Sequence, residues 1–343
     1  MWMLTTPGRD DPSRENKLPG IRALRRRILT PNMSATKLDV RGFHEKSAAA
    51  KELLETVGRT FLTGYGYAVE ARTTAETEHR LEQLPTQFRG FGYEGAAMGY
   101  AMLDGLPVGG SHHVATFLAG RGRQHAYMAY IGVGWAMARL PRSRWSRITV
   151  ADPLMRWLVL DGYGFHQAYF KTDRYVTNQY REPEFPWPTE GQQWYANHAI
   201  DQGIGRALWF VGGTDADLVA GMIEKFPESR QPDLWSGAGL AATYAGGSGE
   251  DELLRFFDRA GKYRPQLAQG SAFAATARLE AGLLIPHTEL ATRVFCGMTP
   301  EQASRVSAEA RPAVADPAAA DDLPVYELWR QRIADALIIL GRV

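Results

Sequence analysis

The sequence predicts an all-α fold of helix-turn-helix repeats that resemble tetratricopeptide arrays, and three observations support this fold class. A segment rich in small residues and closed by two glycines, 205–213, recurs at 239–247, a spacing of 34 residues. An amphipathic segment follows each copy, beginning at Asp217 and at Asp251, which repeats the spacing of 34. A third copy begins at Pro265 and ends on a glycine 35 residues beyond the second. A Gly-terminated helix followed by an amphipathic helix at this period is typical of helical solenoids.

The first half of the chain carries a weaker version of the same pattern. Residues 95–101 align with residues 239–245, and residues 132–138 align with residues 270–276. Small residues at these positions would let neighbouring helices approach closely. The alignment predicts that the array consists of two related halves.

Segments of different composition separate and flank these halves. The N-terminus is polar and contains proline, the centre combines three prolines with Phe185 and Trp187, and an Ala/Pro-rich stretch precedes a helix with one apolar face. The predicted divisions are a disordered tail at 1–20, an N-terminal repeat half at 21–177, a Pro/aromatic loop at 178–191, a C-terminal repeat half at 192–310, a linker at 311–324 and a capping helix at 325–343. Prolines disfavour regular helix in the loop, and a terminal amphipathic helix is expected to cover the end of an array.

Charge and cysteine content exclude several classes of partner. The chain has 39 Lys and Arg against 38 Asp and Glu, so its net charge of +1 predicts no nucleic-acid partner. Its single cysteine, Cys296, forms no intramolecular disulfide and belongs to no zinc-binding pattern, which favours a cytoplasmic location. The longest apolar stretch, 154–170, is interrupted by charged residues and glycines, so no membrane span is expected.

The sequence contains none of the common catalytic or cofactor-binding signatures. It lacks a phosphate-binding loop, a nucleophile elbow and a metal-binding helix motif. The pair Gly162 and Gly164 lacks the third glycine and the preceding strand of a dinucleotide fingerprint, and is interpreted as the start of a helix. We therefore predict no cofactor and no metal.

Ionisable residues inside small or apolar helical stretches are the best site candidates, because a buried charge is costly without a partner or a task. In the segment from Asp161 to His166, the carboxylate is expected to cap a helix, with the imidazole one turn inside and available for proton transfer. The structural alternative is a cap and a core histidine. Glu94, among small residues, is a third candidate, and Glu70 fits the same description.

A second candidate pair lies on the helix after the Pro/aromatic loop. His198 and Asp201 share one helix face, so the carboxylate could orient the imidazole as in catalytic pairs. Alternatively, Asp201 caps the helix or holds Arg206, as a polar link between repeats.

Aromatic residues recur at equivalent positions of the proposed repeats, as in the pair of Tyr100 and Tyr244. Trp135 likewise corresponds to a phenylalanine, and Trp209 and Trp235 lie in the C-terminal half. Such side chains either fill the core or line an apolar groove for an elongated hydrophobic ligand. In a groove, their faces could also stabilise cationic intermediates.

Several long motifs resemble the bacterial domain-of-unknown-function family 1702. Among them are Leu-Asp-Gly-Tyr-Gly-Phe-His at 160–166 and Asp-Gln-Gly-Ile-Gly-Arg-Ala-Leu-Trp-Phe at 201–210. The further matching segments are 24–31, 91–98, 130–141, 233–237, 267–270 and 286–291. The resemblance covers about Ile21 to Ser307 and implies a role in actinobacterial natural-product gene clusters, notably those for enediyne polyketides. It brings no catalytic residues with it.

These observations lead to one functional hypothesis and two alternatives. The leading hypothesis is a cofactor-independent isomerase or cyclase that holds a polyene-like intermediate. Asp161 or Glu94 would be the acid, His166 or His198 the base or proton shuttle, and Arg206 the anchor for a carboxyl group or another oxygen function. The first alternative is a non-catalytic scaffold that binds the polyketide synthase or another pathway protein. The second, a terpene-type cyclase, suffers from the absence of an aspartate-rich magnesium motif.

Overall fold

All regular structure in the described part of the chain is helical, which confirms the all-α class. The computed structural model describes residues 20, 22–23, 26–27, 30–107, 112–148, 152–188, 192–313 and 323–343. Residues 1–19 of the predicted tail, 189–191 of the predicted loop and 314–322 of the predicted linker lie outside the described residues.

Fourteen helices of seven residues or more occur in the described ranges. They are α1 (Ala48–Glu70), α2 (Thr74–Leu81), α3 (Thr86–Gly105), α4 (His113–Ala119), α5 (Ala126–Arg139), α6 (Trp157–Phe170), α7 (Ala196–Val211), α8 (Ala216–Glu224), α9 (Gln231–Ala245), α10 (Glu250–Ala260), α11 (Arg264–Glu280), α12 (Pro286–Cys296), α13 (Pro300–Glu309) and α14 (Val325–Ile339). Short turns of helix connect several of them, and none of the helices so described is long and apolar enough to cross a membrane.

Seven of these helices pack side by side in an inner row, in the order α1, α3, α5, α6, α7, α9 and α11. Glycines bring the neighbours close. In α6, a Cβ on Gly162 would overlap the carbonyl oxygen of Ile131, and a Cβ on Gly164 would overlap that of Ile200. Gly162 therefore faces α5, and Gly164 faces α7. Both lie in the middle of α6, so their interpretation as the start of a helix was wrong: they are needed for interhelical contact.

Short helices form an outer layer over part of the row. After α7, the chain alternates between inner and outer helices, and the outer helices α8, α10 and α12 contact one another in sequence. Gly213 and Gly247, which close the first two repeat copies, have φ values of +58° and +102°, the left-handed region that glycine favours. The period of about 34 residues and the relation between two halves stay predictions.

The two ends of the inner row meet across a common core. Phe91 of α3 packs edge-on against Tyr244 of α9 with ring centroids 5.2 Å apart. Arg278 of α11 donates a hydrogen bond from Nη2 to the carbonyl oxygen of Gln87, at 3.2 Å. Helix α14 packs on α11 and α13, where Trp329 lies 4.7 Å from the ring of Phe273. This curvature turns the inner faces of α1, α3, α5, α6 and α7 toward one cavity.

Candidate functional site: a cavity with a buried charge cluster

An apolar cavity lies between the inner helices of the first half and α7. The space inside it that the centre of a water-sized sphere can reach is about 50 Å³, and the empty space in and around it, which includes open solvent, is about 670 Å³. Its aromatic lining consists of Phe61, Phe91, Trp135, Phe165, Tyr169, Phe170 and Phe210. Its ionisable lining consists of Glu94, Arg139, His166 and Arg206. The cavity therefore combines a large apolar surface with few polar groups.

A charge cluster of Glu94, Asp161 and Arg206 occupies the buried side of the cavity, and the three side chains come from α3, α6 and α7. Arg206 donates a short hydrogen bond from Nη1 to Oδ1 of Asp161, while its guanidinium lies 5.1 Å from the ring of Phe165. Relative exposures are 3% for Glu94, 1% for Asp161 and 5% for Arg206. Two carboxyl groups thus lie close to one guanidinium, and all three side chains are almost fully buried.

Several polar atoms around the cluster make no well-aligned hydrogen bond within the described residues, although Trp135 lies close enough to Glu94, and Gln202 to Asp161, to lower the pKa of each carboxyl group. These atoms are Oδ2 of Asp161, Nε of Arg206, the indole Nε1 of Trp135 and Nδ1 of His166. Leaving a buried donor or acceptor unpaired costs about 1–3 kcal/mol, and native structures contain few such groups. Their concentration at one cavity indicates a place where a ligand or ordered water completes the hydrogen bonds.

Burial sets the protonation behaviour of the cluster. It raises the pKa of Glu94 to about 7, although the positive charge of Arg206 acts in the opposite direction. Burial also raises the pKa of Asp161, opposed by the charge and hydrogen bond of Arg206. Burial alone would lower the pKa of Arg206, but Asp161 and Glu94 hold it above its ordinary value. Glu94 is therefore the carboxyl group able to gain and lose a proton near neutral pH.

His166 lines the same cavity but is a neutral imidazole. Burial lowers its pKa to about 3, assisted by the charges of Arg139 and Lys171. Its ring lies edge-on to Trp135, with centroids 5.5 Å apart. Asp161 is not the helix cap predicted from sequence, because α6 begins four residues earlier, at Trp157. The carboxylate instead projects from the middle of the helix to the guanidinium of the next one.

The second predicted pair lies outside the cavity, and its members have other partners. Nδ1 of His198 is 2.8 Å from Oδ2 of Asp233, which raises the pKa of His198 mainly through this hydrogen bond. Asp201 accepts two hydrogen bonds from Arg230, at 2.5 and 3.0 Å. Asp201 therefore makes neither the predicted contact with His198 nor the predicted contact with Arg206. His198 is hydrogen-bonded to Asp233 and Arg206 to Asp161 instead. His198 and Asp201 connect α7 with the region at the start of α9.

Most of the predicted ligand-binding aromatics fill the core. The hydroxyl of Tyr100 donates to Thr77 at 2.7 Å, the indole of Trp209 donates to the carbonyl of Gly246 at 2.9 Å, and Trp235 packs against Phe256. Tyr244 packs on a cavity-lining phenylalanine but does not line the cavity itself. Of the predicted ligand-binding residues, Trp135 and Arg206 contribute to the lining.

Sequence reasoning missed the contribution of α1 and the aromatic edge of α6. Phe61 lines the cavity from α1, a helix that the repeat alignment did not include. Phe165 and Tyr169 lie four residues apart, a spacing that places both on one helix face and could have drawn attention to them. Arg139, the last residue of α5, also lines the cavity and was also missed.

Among the described residues, neither the Cys296 thiol nor a metal-binding cluster forms a second candidate site. Burial raises the pKa of the Cys296 thiol to about 12, so at neutral pH it is not a nucleophilic thiolate. The described residues hold no group of three or more His, Cys, Asp or Glu side chains arranged to bind a metal ion.

Comparison with known proteins identifies a family. Neither the search of curated proteins nor the search of solved structures finds a match to this chain. The profile of the family described as "Protein of unknown function (DUF1702)" matches residues 20–337, which include every side chain of the charge cluster. The chain therefore belongs to the DUF1702 family.

Proposed function

We propose that the cavity binds an elongated, polyene-like small molecule and that Glu94 transfers protons to and from it. One observation carries the proposal: a buried carboxyl group with a pKa of about 7 faces an aromatic-lined cavity. General acids and bases act best when their pKa lies near the working pH. A buried Glu of this kind is costly to maintain, which favours a chemical role over packing.

The reaction class that fits is a cofactor-independent isomerisation or cyclisation. Glu94 in its acid form donates a proton to one carbon of the polyene, and the resulting carboxylate removes a proton from another carbon. The composition of the ligand is unchanged and Glu94 returns to its starting state. The faces of Trp135 and Phe165 stabilise the positive charge that develops between these steps. Arg206, held by Asp161, keeps the ionised form of Glu94 accessible despite its burial.

The same proposal assigns the chain to a biological setting. It is an accessory protein of enediyne or related polyketide biosynthesis in the cytoplasm, built as tetratricopeptide-like repeats in two halves. The motifs at 160–166 and 201–210 support the family resemblance behind this assignment, and they contain Asp161 and Arg206.

The direct test combines genetics with isotope labelling. The gene is deleted in the native producer, and purified protein is added to the extract in D₂O. Conversion of an accumulated intermediate into an isomer that carries deuterium supports proton transfer. Glu94→Gln should abolish conversion because the amide neither donates nor accepts the proton as a carboxyl group does. Glu78→Gln is the matched control, since Glu78 is also a buried glutamate but does not line the cavity.

Two results would contradict the enzymatic proposal. Glu94→Gln could convert the intermediate as fast as wild type, which would remove Glu94 from the chemistry. Alternatively, the product could vanish in the deletion strain while the extract contains no intermediate that the purified protein converts. The second result would favour the scaffold alternative, in which the chain binds a pathway protein.

A further inference from the structure

One exposed cationic side chain lines the cavity, and three more line a surface depression beside it. Arg139 is part of the cavity lining. Phe170 separates the cavity from a surface depression that is lined by Arg41, Lys171 and Arg174. The guanidinium of Arg41 lies 5.1 Å from the centre of the Phe170 ring, so the cations reach the edge of the aromatic surface.

The positive charge around this edge is not neutralised by the described residues. Arg139 and Lys171 are exposed and make no ion pair within the described ranges. Nε of Arg41 is buried without a hydrogen-bond partner. Asp173 is the single acidic residue that lines the depression. Glu55 also lies near Tyr169, but it accepts a hydrogen bond from the backbone of Leu38 at 3.2 Å.

The electrostatic effect of these cations extends into the cavity. The charges of Arg139 and Lys171 both lower the pKa of His166, and the charge of Arg41 acts on the hydroxyl of Tyr169. An anion at the edge would therefore interact favourably with several groups at once, and fixed positive charges also attract anions from solution.

The buried side of the cavity has the opposite preference. Arg206 was predicted to anchor a carboxyl group, but it already pairs with Asp161 and lies beside Glu94. A ligand carboxylate there would meet two acidic side chains and would have to lose its hydration. The apolar part of a ligand encounters no such penalty. The charge distribution therefore favours one orientation of the ligand, with its apolar end at the buried side and its anionic end at the cationic edge.

We propose that the ligand is an amphiphile with a carboxylate head, which enters tail first and leaves its head between Arg139 and the cations around Phe170. This inference rests on the proposed function of the cavity and adds the substrate class. In this orientation the hydrocarbon chain lies along the aromatic lining, and its far end reaches Glu94.

The test is a fluorescence titration with a conjugated tetraene fatty acid and with the corresponding fatty alcohol, using the full chain. We expect the acid to bind about tenfold more tightly at low salt, because the exposed positive charges attract its carboxylate but not the hydroxyl group of the alcohol. The difference should shrink in about 1 M salt, where the screening length falls to about 3 Å.

Charge variants locate the head group. Arg139→Gln combined with Lys171→Gln should remove the preference for the acid while the affinity for the alcohol stays unchanged. The matched control is Lys225→Gln with Arg305→Gln, which removes two exposed charges at positions that do not line the cavity. It should preserve the preference. Because all four positions are exposed, melting curves are expected to match those of wild type.

A cavity-filling variant separates this inference from the proposed function. Met98→Trp should weaken the acid and the alcohol alike, because Met98 lines the cavity and the larger side chain would occupy the space of the hydrocarbon chain that both ligands share. If the two ligands bind equally well and Met98→Trp weakens both, the carboxylate inference is overturned and the cavity proposal stands. If neither ligand binds, or if Met98→Trp has no effect on either, both are overturned.

Discussion

Two buried charge clusters of this protein differ in how completely their hydrogen bonds are satisfied. In the first cluster, Arg330 of α14 donates to Asp233 at 2.7 Å, and Arg230 holds Asp201 with two hydrogen bonds. None of the polar atoms of these four side chains is both buried and without a partner. At the cavity, Asp161 and Arg206 each have such an atom. Burial of charge alone therefore does not distinguish a functional site; unsatisfied groups beside empty space do.

We call the cluster of Arg330, Asp233, Arg230 and Asp201 the completed cluster, because its hydrogen bonds are satisfied. It should lose more stability than the cavity cluster when one charged partner is removed. Arg230→Met leaves Asp201 buried and unpaired, so we expect the free energy of unfolding to fall by about 3–5 kcal/mol. Urea denaturation at pH 7 measures this loss. Arg259→Met is the control, because Arg259 forms an exposed pair with Glu224 and should change stability by less than ~1 kcal/mol. A loss for Arg230→Met as small as the control would mean that the cluster is not structural.

In the cavity cluster, removal of the Glu94 charge should raise the stability of the protein, whereas loss of Arg230 from the completed cluster should lower it. The pKa of Glu94 is raised from 4.5 to about 7, so its contribution to stability is complete below pH 4.5 and is lost as pH rises through 7. Glu94→Gln mimics the protonated form and should stabilise the protein by about 3 kcal/mol at pH 8. Denaturation at pH 8 and at pH 4.5 should show this gain and then its disappearance. A destabilised variant at pH 8 would place Glu94 among the structural charges.

The third largest effect is expected when the spacing between α6 and α7 is changed. A Cβ on Gly203 would overlap the carbonyl oxygen of Asp161, so Gly203→Ala forces α6 and α7 apart. We expect a loss of about 1–3 kcal/mol, typical of overpacking, and weaker binding in the cavity. The control is Gly221→Ala on the outer helix α8, where the added methyl group meets no backbone atom within 4 Å. It should stabilise slightly. Equal effects of the two substitutions on unfolding would contradict the role of close helix contact.

The smallest expected effect concerns His198, at the rim of the completed cluster. Its hydrogen bond to Asp233 raises its pKa, so its contribution to stability is fully present below pH 6.5 and is lost as pH rises through the folded-state pKa. His198→Gln should therefore be less stable than wild type at pH 5.5 by up to ~1 kcal/mol, and the difference should narrow by pH 9. A difference that widens with pH would show that His198 acts as a neutral ring.

The sequence located several of the buried charges but not their partners. Six residues were selected because they interrupt small or apolar helical stretches: Glu70, Glu94, Asp161, His166, Asp201 and Arg206. Five of them are buried, whereas the side chain of Glu70 is 26% exposed and pairs with Arg26. The pairing of Asp161 with Arg206 joins residues 45 positions apart, which no local spacing rule connects.

Local patterns gave the helical class because glycine termination and amphipathic spacing act within one or two turns. They also indicated where helices approach closely, although the glycines of α6 turned out to lie in the middle of the helix. Whether an aromatic residue fills the core or lines a cavity was decided by the tertiary structure. The curvature of the inner row places Trp135 beside the cavity and leaves Trp209 and Trp235 in the core. That curvature is the sum of many interhelical contacts, so it is not encoded by any one segment of the sequence.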